Sequence, residues 1–117
     1  MICYHGGSPN LRIGAVIRPP AETGADHSGN WGARGVHDPS KVYVTPQPNA
    51  AAMFASLHPS GNGKVWKVET IGEVSYDPDC SELGLSYTCD AAKIVGRVRI
   101  KKKTLKRIRE TVMQDTR

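Results

Sequence analysis

Lys41-Val42-Tyr43-Val44-Thr45 is the stretch that decides the fold. Strand side chains alternate between two faces, so the two valines turn one way and Tyr43 turns the other. An aromatic ring opposite a valine pair is available to line a cleft while the valines fill a core. Two further short strands carry polar residues in the same manner: Tyr4-His5-Gly6-Gly7 before this one and Ser75-Tyr76-Asp77-Pro78 after it. A histidine, a tyrosine and a carboxylate thus stand on three separate strand ends.

Working outward, residues 2–5 form a strand that Gly6-Gly7-Ser8-Pro9 turns away. Leu11 to Ile17 holds a second short apolar piece, ended by Pro19-Pro20. Residues 21–39 have no apolar period, and a loop of that length in a small protein is a functional lid or a disordered segment. Beyond Tyr43, Ala50, Met53, Phe54 and Leu57 follow the i, i+3, i+4, i+7 spacing of a helix with a core stripe, with Thr45 or Asn49 as its cap. Lys64–Glu69 alternates as a strand, and Val74–Tyr76 gives another. Lys93–Lys101 is the clearest strand, with Ile94, Val98 and Ile100 inward and Arg97 and Arg99 on the other side. Leu105, Ile108 and Val112 then mark an amphipathic helix over about 102–114. Several short strands with few helices make an α+β protein. There is no internal repeat and no low-complexity segment.

The 117 residues suit a single domain, 1–117, expected to act as a monomer. No run approaches the roughly 18–20 apolar residues of a membrane helix, so no membrane association is expected. The first residues do not pair a basic region with an apolar run, as a signal peptide would. The cysteines Cys3, Cys80 and Cys89 are odd in number and form no Cys-x-x-Cys. Three reduced thiols in a cytoplasmic protein are the expectation, with a Cys80–Cys89 bridge left open by the spacing. The net charge of +5 is unevenly spread: Lys93 to Arg109 holds nine basic residues and no acid. Such a one-ended patch is either an anion-binding surface or a solvated helix face.

Several chemistries lack their sequence signals. His27 and His37, with Asp26 and Asp38, have no zinc-ligand spacing, and no metal is expected. No serine stands in a Gly-x-Ser-x-Gly elbow. Neither glycine-rich piece is a phosphate-binding loop or a Gly-x-Gly-x-x-Gly fingerprint.

The ordered set is more specific. Tyr4-His5-Gly6 is followed by Val42-Tyr43-Val44-Thr45 with an alanine-rich helix start, then by Val65-Trp66-Lys67-Val68-Glu69, Gly72, Asp77-Pro78, Ser86-Tyr87 and Lys93-Ile94-Val95-Gly96. In order and spacing this resembles the NAD-dependent ADP-ribosyltransferases of the histidine–tyrosine–acid class, and within them the rifamycin ADP-ribosyltransferase family. The resemblance implies two small antiparallel sheets splayed around an NAD cleft, with NAD as co-substrate. It implies that His5 bonds a ribose hydroxyl, that the Gly6 backbone holds the nicotinamide amide and that Tyr43 stacks on the nicotinamide ring. Asp77 would face the positive charge that develops as nicotinamide leaves, chemistry that rests on positioning and a nearby anion. Gly7, Thr45, Ser86 and Tyr87 match positions that line the nucleotide. The sequence departs from the family at Gly7, where relatives carry Thr or Ser, with Ser8 as a substitute. It departs again at Asp79, which competes with Asp77, and in the longer 21–39 loop. The acceptor, a rifamycin-like small molecule, a protein or a nucleic acid, does not carry over.

Two other readings stand beside it. An RNA 2′-phosphotransferase shares the implied fold, but Arg12, Arg18 and Arg34 are irregularly placed for a phosphate site. A non-catalytic module would use the Lys93–Arg109 patch to bind nucleic acid, with a steep salt dependence.

Overall fold

A computed structural model of the chain describes residues 1–23, 38–78 and 84–115. In chain order the elements are β1 (Ile2–Gly7), β2 (Val16–Ile17), α1 (Pro20–Thr23), β3 (Val42–Val44), α2 (Pro48–Ser56), β4 (Lys64–Ile71), β5 (Ser75–Tyr76), β6 (Tyr87–Cys89), β7 (Ala91–Val98) and α3 (Lys102–Asp115). The strands form two antiparallel sheets, one ordered β1-β4-β7-β2 and the other β3-β6-β5. The protein is a small α+β fold with few helices, as the strand-rich pattern of the sequence requires.

The four-stranded sheet is covered on both faces. One face carries Cys3, Trp66, Val68, Ala92 and Ile94, which pack against Val42, Val44 and Cys89 of the three-stranded sheet. The other face carries Val65, with Tyr4 and Val98, against Ala51, Ala52 and Ala55 of α2 and Leu105 and Ile108 of α3. The Val42/Val44 expectation is met: both valines are buried and Tyr43 between them is half-buried.

Thr45 leaves the three-stranded sheet and pairs with β1. Tyr4 N–H donates to Thr45 O at 2.7 Å, and Thr45 N–H donates to Tyr4 O at 2.9 Å. This bridge is the seam at which the two sheets meet.

Three sequence expectations are corrected by packing. The first strand continues through Gly6 and Gly7 instead of turning there. Gly6 is needed because a Cβ would lie 2.0 Å from Ala51 O, against the backbone of α2. The same closeness explains α2 itself. Its buried side chains are Ala51, Ala52, Ala55 and Ser56, while Met53 is exposed. The helix backbone lies so near Gly6 and Gly63 that only small side chains fit beneath it. Of the expected stripe, Leu57 just past the helix is buried, Ala50 and Phe54 are half-buried and Met53 faces out. Its cap is Gln47, with Pro48 in the first turn and no side-chain cap bond. Thr45 Oγ1 instead accepts the Gln47 N–H at 3.1 Å, just ahead of the helix.

The third correction concerns β7, which runs from Ala91 and ends at Val98. Lys67 pairs with Gly96 but Val68 pairs with Ile94, which leaves Val95 as a β-bulge. The extra residue resets the alternation. Ile94 and Arg97 therefore lie on the same sheet face, while Val98 and Ile100 pack with the helices.

Most of the 21–39 loop, with Trp31, His27 and His37, lies outside the described residues, as do Asp79 and Cys80. The short helix α1 occupies the start of that segment. Cys3 and Cys89 are buried free thiols. Burial raises both, Cys89 to about 11, with the nearby Cys3 and Asp90 adding to the effect. Among the described residues no helix is long and apolar enough to cross a membrane.

Candidate functional site

β1 positions His5 on the face turned toward the three-stranded sheet, directly across from Trp66 on β4. His5 Nδ1 lies 2.9 Å from Tyr43 O. A carbonyl only accepts, so Nδ1 carries the proton and donates it. In the neutral ring Nε2 is then left as an acceptor. Burial lowers the His5 pKa and the bond to Tyr43 O partly opposes this, which favours the neutral ring near pH 7. Gly7 is on the same strand face, and a Cβ there would come within 2.9 Å of His5 Nε2. The departure from Thr or Ser at this position therefore keeps the ring edge clear.

Gly6 supplies a second polar feature through its backbone. Antiparallel strands bond neighbours on alternate sides, and Tyr4 sends both its N–H and its C=O to Thr45. Gly6, two residues on, directs its N–H and C=O to that same edge of β1. Among the described residues neither group has a hydrogen-bond partner there, because the chain turns off into Pro46 and α2. One donor and one acceptor on adjacent backbone atoms match the edge of a primary amide.

Tyr43 itself sits in the seam. Its hydroxyl accepts the Asp38 N–H at 2.6 Å, which ties the ring to the end of the preceding loop. Asp38 in turn accepts from Ser40 N–H and Ser40 Oγ, bonds that hold its carboxyl below the usual range.

The three-stranded sheet brings the acid to the Tyr43 side. Tyr43 pairs with Thr88, and Thr88 with Ser75. Asp77 lies two residues beyond Ser75 and so projects to the same face. Its N–H donates to Ser86 O at 3.0 Å, and its carboxylate accepts from Ser86 Oγ at 2.9 Å. Two strand spacings and two residues of rise separate the Cα atoms of Tyr43 and Asp77 by roughly 12 Å. Asp77 and Ser86 thus form a unit, and Tyr43 and Asp77 share a surface without being adjacent.

The remaining expected residues divide. Thr45 is buried and committed to the β1 seam and to Gln47. Tyr87 lies on the opposite, core-side face of its sheet and stacks on Tyr76 at 5.2 Å between ring centroids. His5 meets the main chain of Tyr43, while the Tyr43 hydroxyl turns toward Asp38.

Two neighbours of His5 were not expected at the site from the sequence. Trp66 is its cross-strand partner, and the Trp66 indole N–H donates to Ser8 O at 3.0 Å, holding the turn after β1. Arg97 is the next residue in that row, opposite Trp66 on β7, and is exposed. Only the register, including the bulge at Val95, puts it there. Among the described residues no group of three or more histidine, cysteine, aspartate or glutamate side chains is arranged to hold a metal ion.

Comparison with known proteins adds no constraint: no family model matches the chain, and no curated protein matches it.

Proposed function

We propose that the protein is an NAD-dependent mono-ADP-ribosyltransferase that uses the β1–β3 seam as its nucleotide site. The observation that carries this reading is the pairing of His5, locked with Nε2 as an acceptor, with the partnerless backbone edge of Gly6 beside it. His5 Nε2 accepts from a ribose hydroxyl. The Gly6 N–H and C=O hold the carboxamide of nicotinamide, and the Tyr43 ring packs on the planar cation. NAD supplies an ADP-ribosyl group whose bond to a cationic ring breaks readily. Asp77, oriented by Ser86 Oγ, places an anion near the ribose carbon as that bond breaks. The electron pair of the broken bond stays on the departing nicotinamide nitrogen. The acceptor then bonds to the ribose carbon and gives up its proton.

Nicotinamide release from NAD tests the reading, measured for the wild type, Tyr43→Ala and Asp77→Ala, alone and with a rifamycin, a nucleic acid or a protein mixture. Release by the wild type, reduced at least tenfold in both variants while their melting temperatures persist, is expected. No release under any condition, or full activity in either folded variant, would sink it.

A further inference from the structure

We propose that the outer face of α3, with the Lys101 that precedes it, binds the phosphate backbone of a nucleic acid. This stands without the NAD reading. Lys101 leads from the sheet into α3, where Lys102, Lys103, Lys106 and Arg107 are all exposed over the first two turns. None of the five makes an ion pair among the described residues, where Lys41–Asp90 is the pair formed. The first turn of α3 contains no acid.

This arrangement works against the helix. Cations in the first turn oppose the helix dipole. Lys102 with Lys106, and Lys103 with Arg107, are like charges one turn apart, which also repel. Glu110 follows Lys106 and Arg107 by one turn, but no acid stands near Lys102 and Lys103 in the first turn. A polyanion would relieve both at once.

The partner class follows from what accompanies the charge. Leu105 and Ile108 are packed into the α2 cluster, so the first two turns of α3 keep their apolar side chains for the core and not for a bilayer. Protein interfaces centre on apolar or aromatic anchors. The outer face of the first two turns of α3 offers only ammonium and guanidinium groups, which suits sequence-independent contact with phosphates.

The test is fluorescence anisotropy with a labelled short duplex DNA and a labelled single-stranded RNA, titrated across salt. The variant carries Lys102→Glu, Lys103→Glu, Lys106→Glu and Arg107→Glu. A second variant with glutamine at the same four positions guards against misfolding, and circular dichroism and melting check both. A surface engaging about four phosphates loses roughly a hundredfold in affinity between about 50 and 200 mM salt. That salt dependence in the wild type, together with at least tenfold weaker binding and a shallower salt slope in a folded variant, is the expected result. Absent or salt-insensitive wild-type binding overturns the inference. So does unchanged binding by both folded variants. Equal or tighter binding to phosphatidylserine-rich vesicles or to polyglutamate also overturns it, by assigning the surface to another anion.

Discussion

His5 is the residue at which burial and chemistry meet. Its pKa is lowered in the fold, whereas in the unfolded chain it titrates at its ordinary value of 6.5. The unfolded state therefore binds more protons in the window between the folded value and 6.5. Stability is fully present above 6.5 and is lost progressively as pH falls toward and through the folded value. Denaturant titrations over that range should show a slope that His5→Gln flattens; an identical slope in the variant would remove His5 as the cause. Gly6 makes a second residue-scale case. A methyl group there meets the α2 backbone, which cannot move aside as a flexible side chain would. Gly6→Ala should destabilise by about 1–3 kcal/mol or more, read as a lower melting temperature. Neither effect was visible in the sequence. His5-Gly6-Gly7 was legible as a polar strand end, but what a glycine makes room for depends on an element forty-odd residues away.

Among the elements, α3 was the easiest to find and α2 the easiest to misread. Leu105 and Ile108 have the helical period and do face the core. In α2 the large apolar residues set the period, yet alanines form the buried face, because the backbone-to-backbone distance and not hydrophobicity selected them. The charges on α3 also carry a prediction of opposite sign to most surface changes. Lys102→Glu with Lys103→Glu puts acids at the positive end of the helix dipole, an effect of about 0.3–1 kcal/mol per charge. Thermal unfolding should show the double variant to be at least as stable as the wild type while its nucleic-acid affinity falls. A marked loss of stability would mean that these lysines hold the helix in place.

For the whole molecule, the α+β class was legible, because several short strands announce themselves by alternation. Two sheets were only what the resemblance implied, and β6 left no pattern of its own. The way in which the sheets are joined was not legible. It depends on Thr45 crossing to β1, on register, and on one unpaired residue in β7, none of which leaves a local pattern. The candidate site shows the same division. His5, Tyr43 and Asp77 could be picked out by residue type, but the acceptor role of His5 Nε2, the Gly6 edge and the neighbouring Arg97 come only from the assembled sheets. At this scale the proposed NAD site in the seam and the proposed nucleic-acid surface can be tested apart. Charge reversal at Lys102, Lys103 and Lys106 should lower ADP-ribosyl transfer to a polynucleotide while leaving NAD hydrolysis intact, measured by label transfer and nicotinamide release in one reaction. A parallel fall in both would assign the lysines to nucleotide binding or to stability.

The bulge at Val95 gives β7 one slack position, where the strand can change in chemistry or in length without moving its neighbours' pairs. Val95 is partly exposed and pairs with nothing, so the identity of the residue there matters little. Its removal is tolerated for the same reason. Without Val95 the strand alternates strictly and every pair is kept: Ile94 stays opposite Val68, Gly96 opposite Lys67, Arg97 opposite Trp66 and Val98 opposite Val65. Genetic variation at this site should therefore be permissive both for substitution and for loss of this one residue.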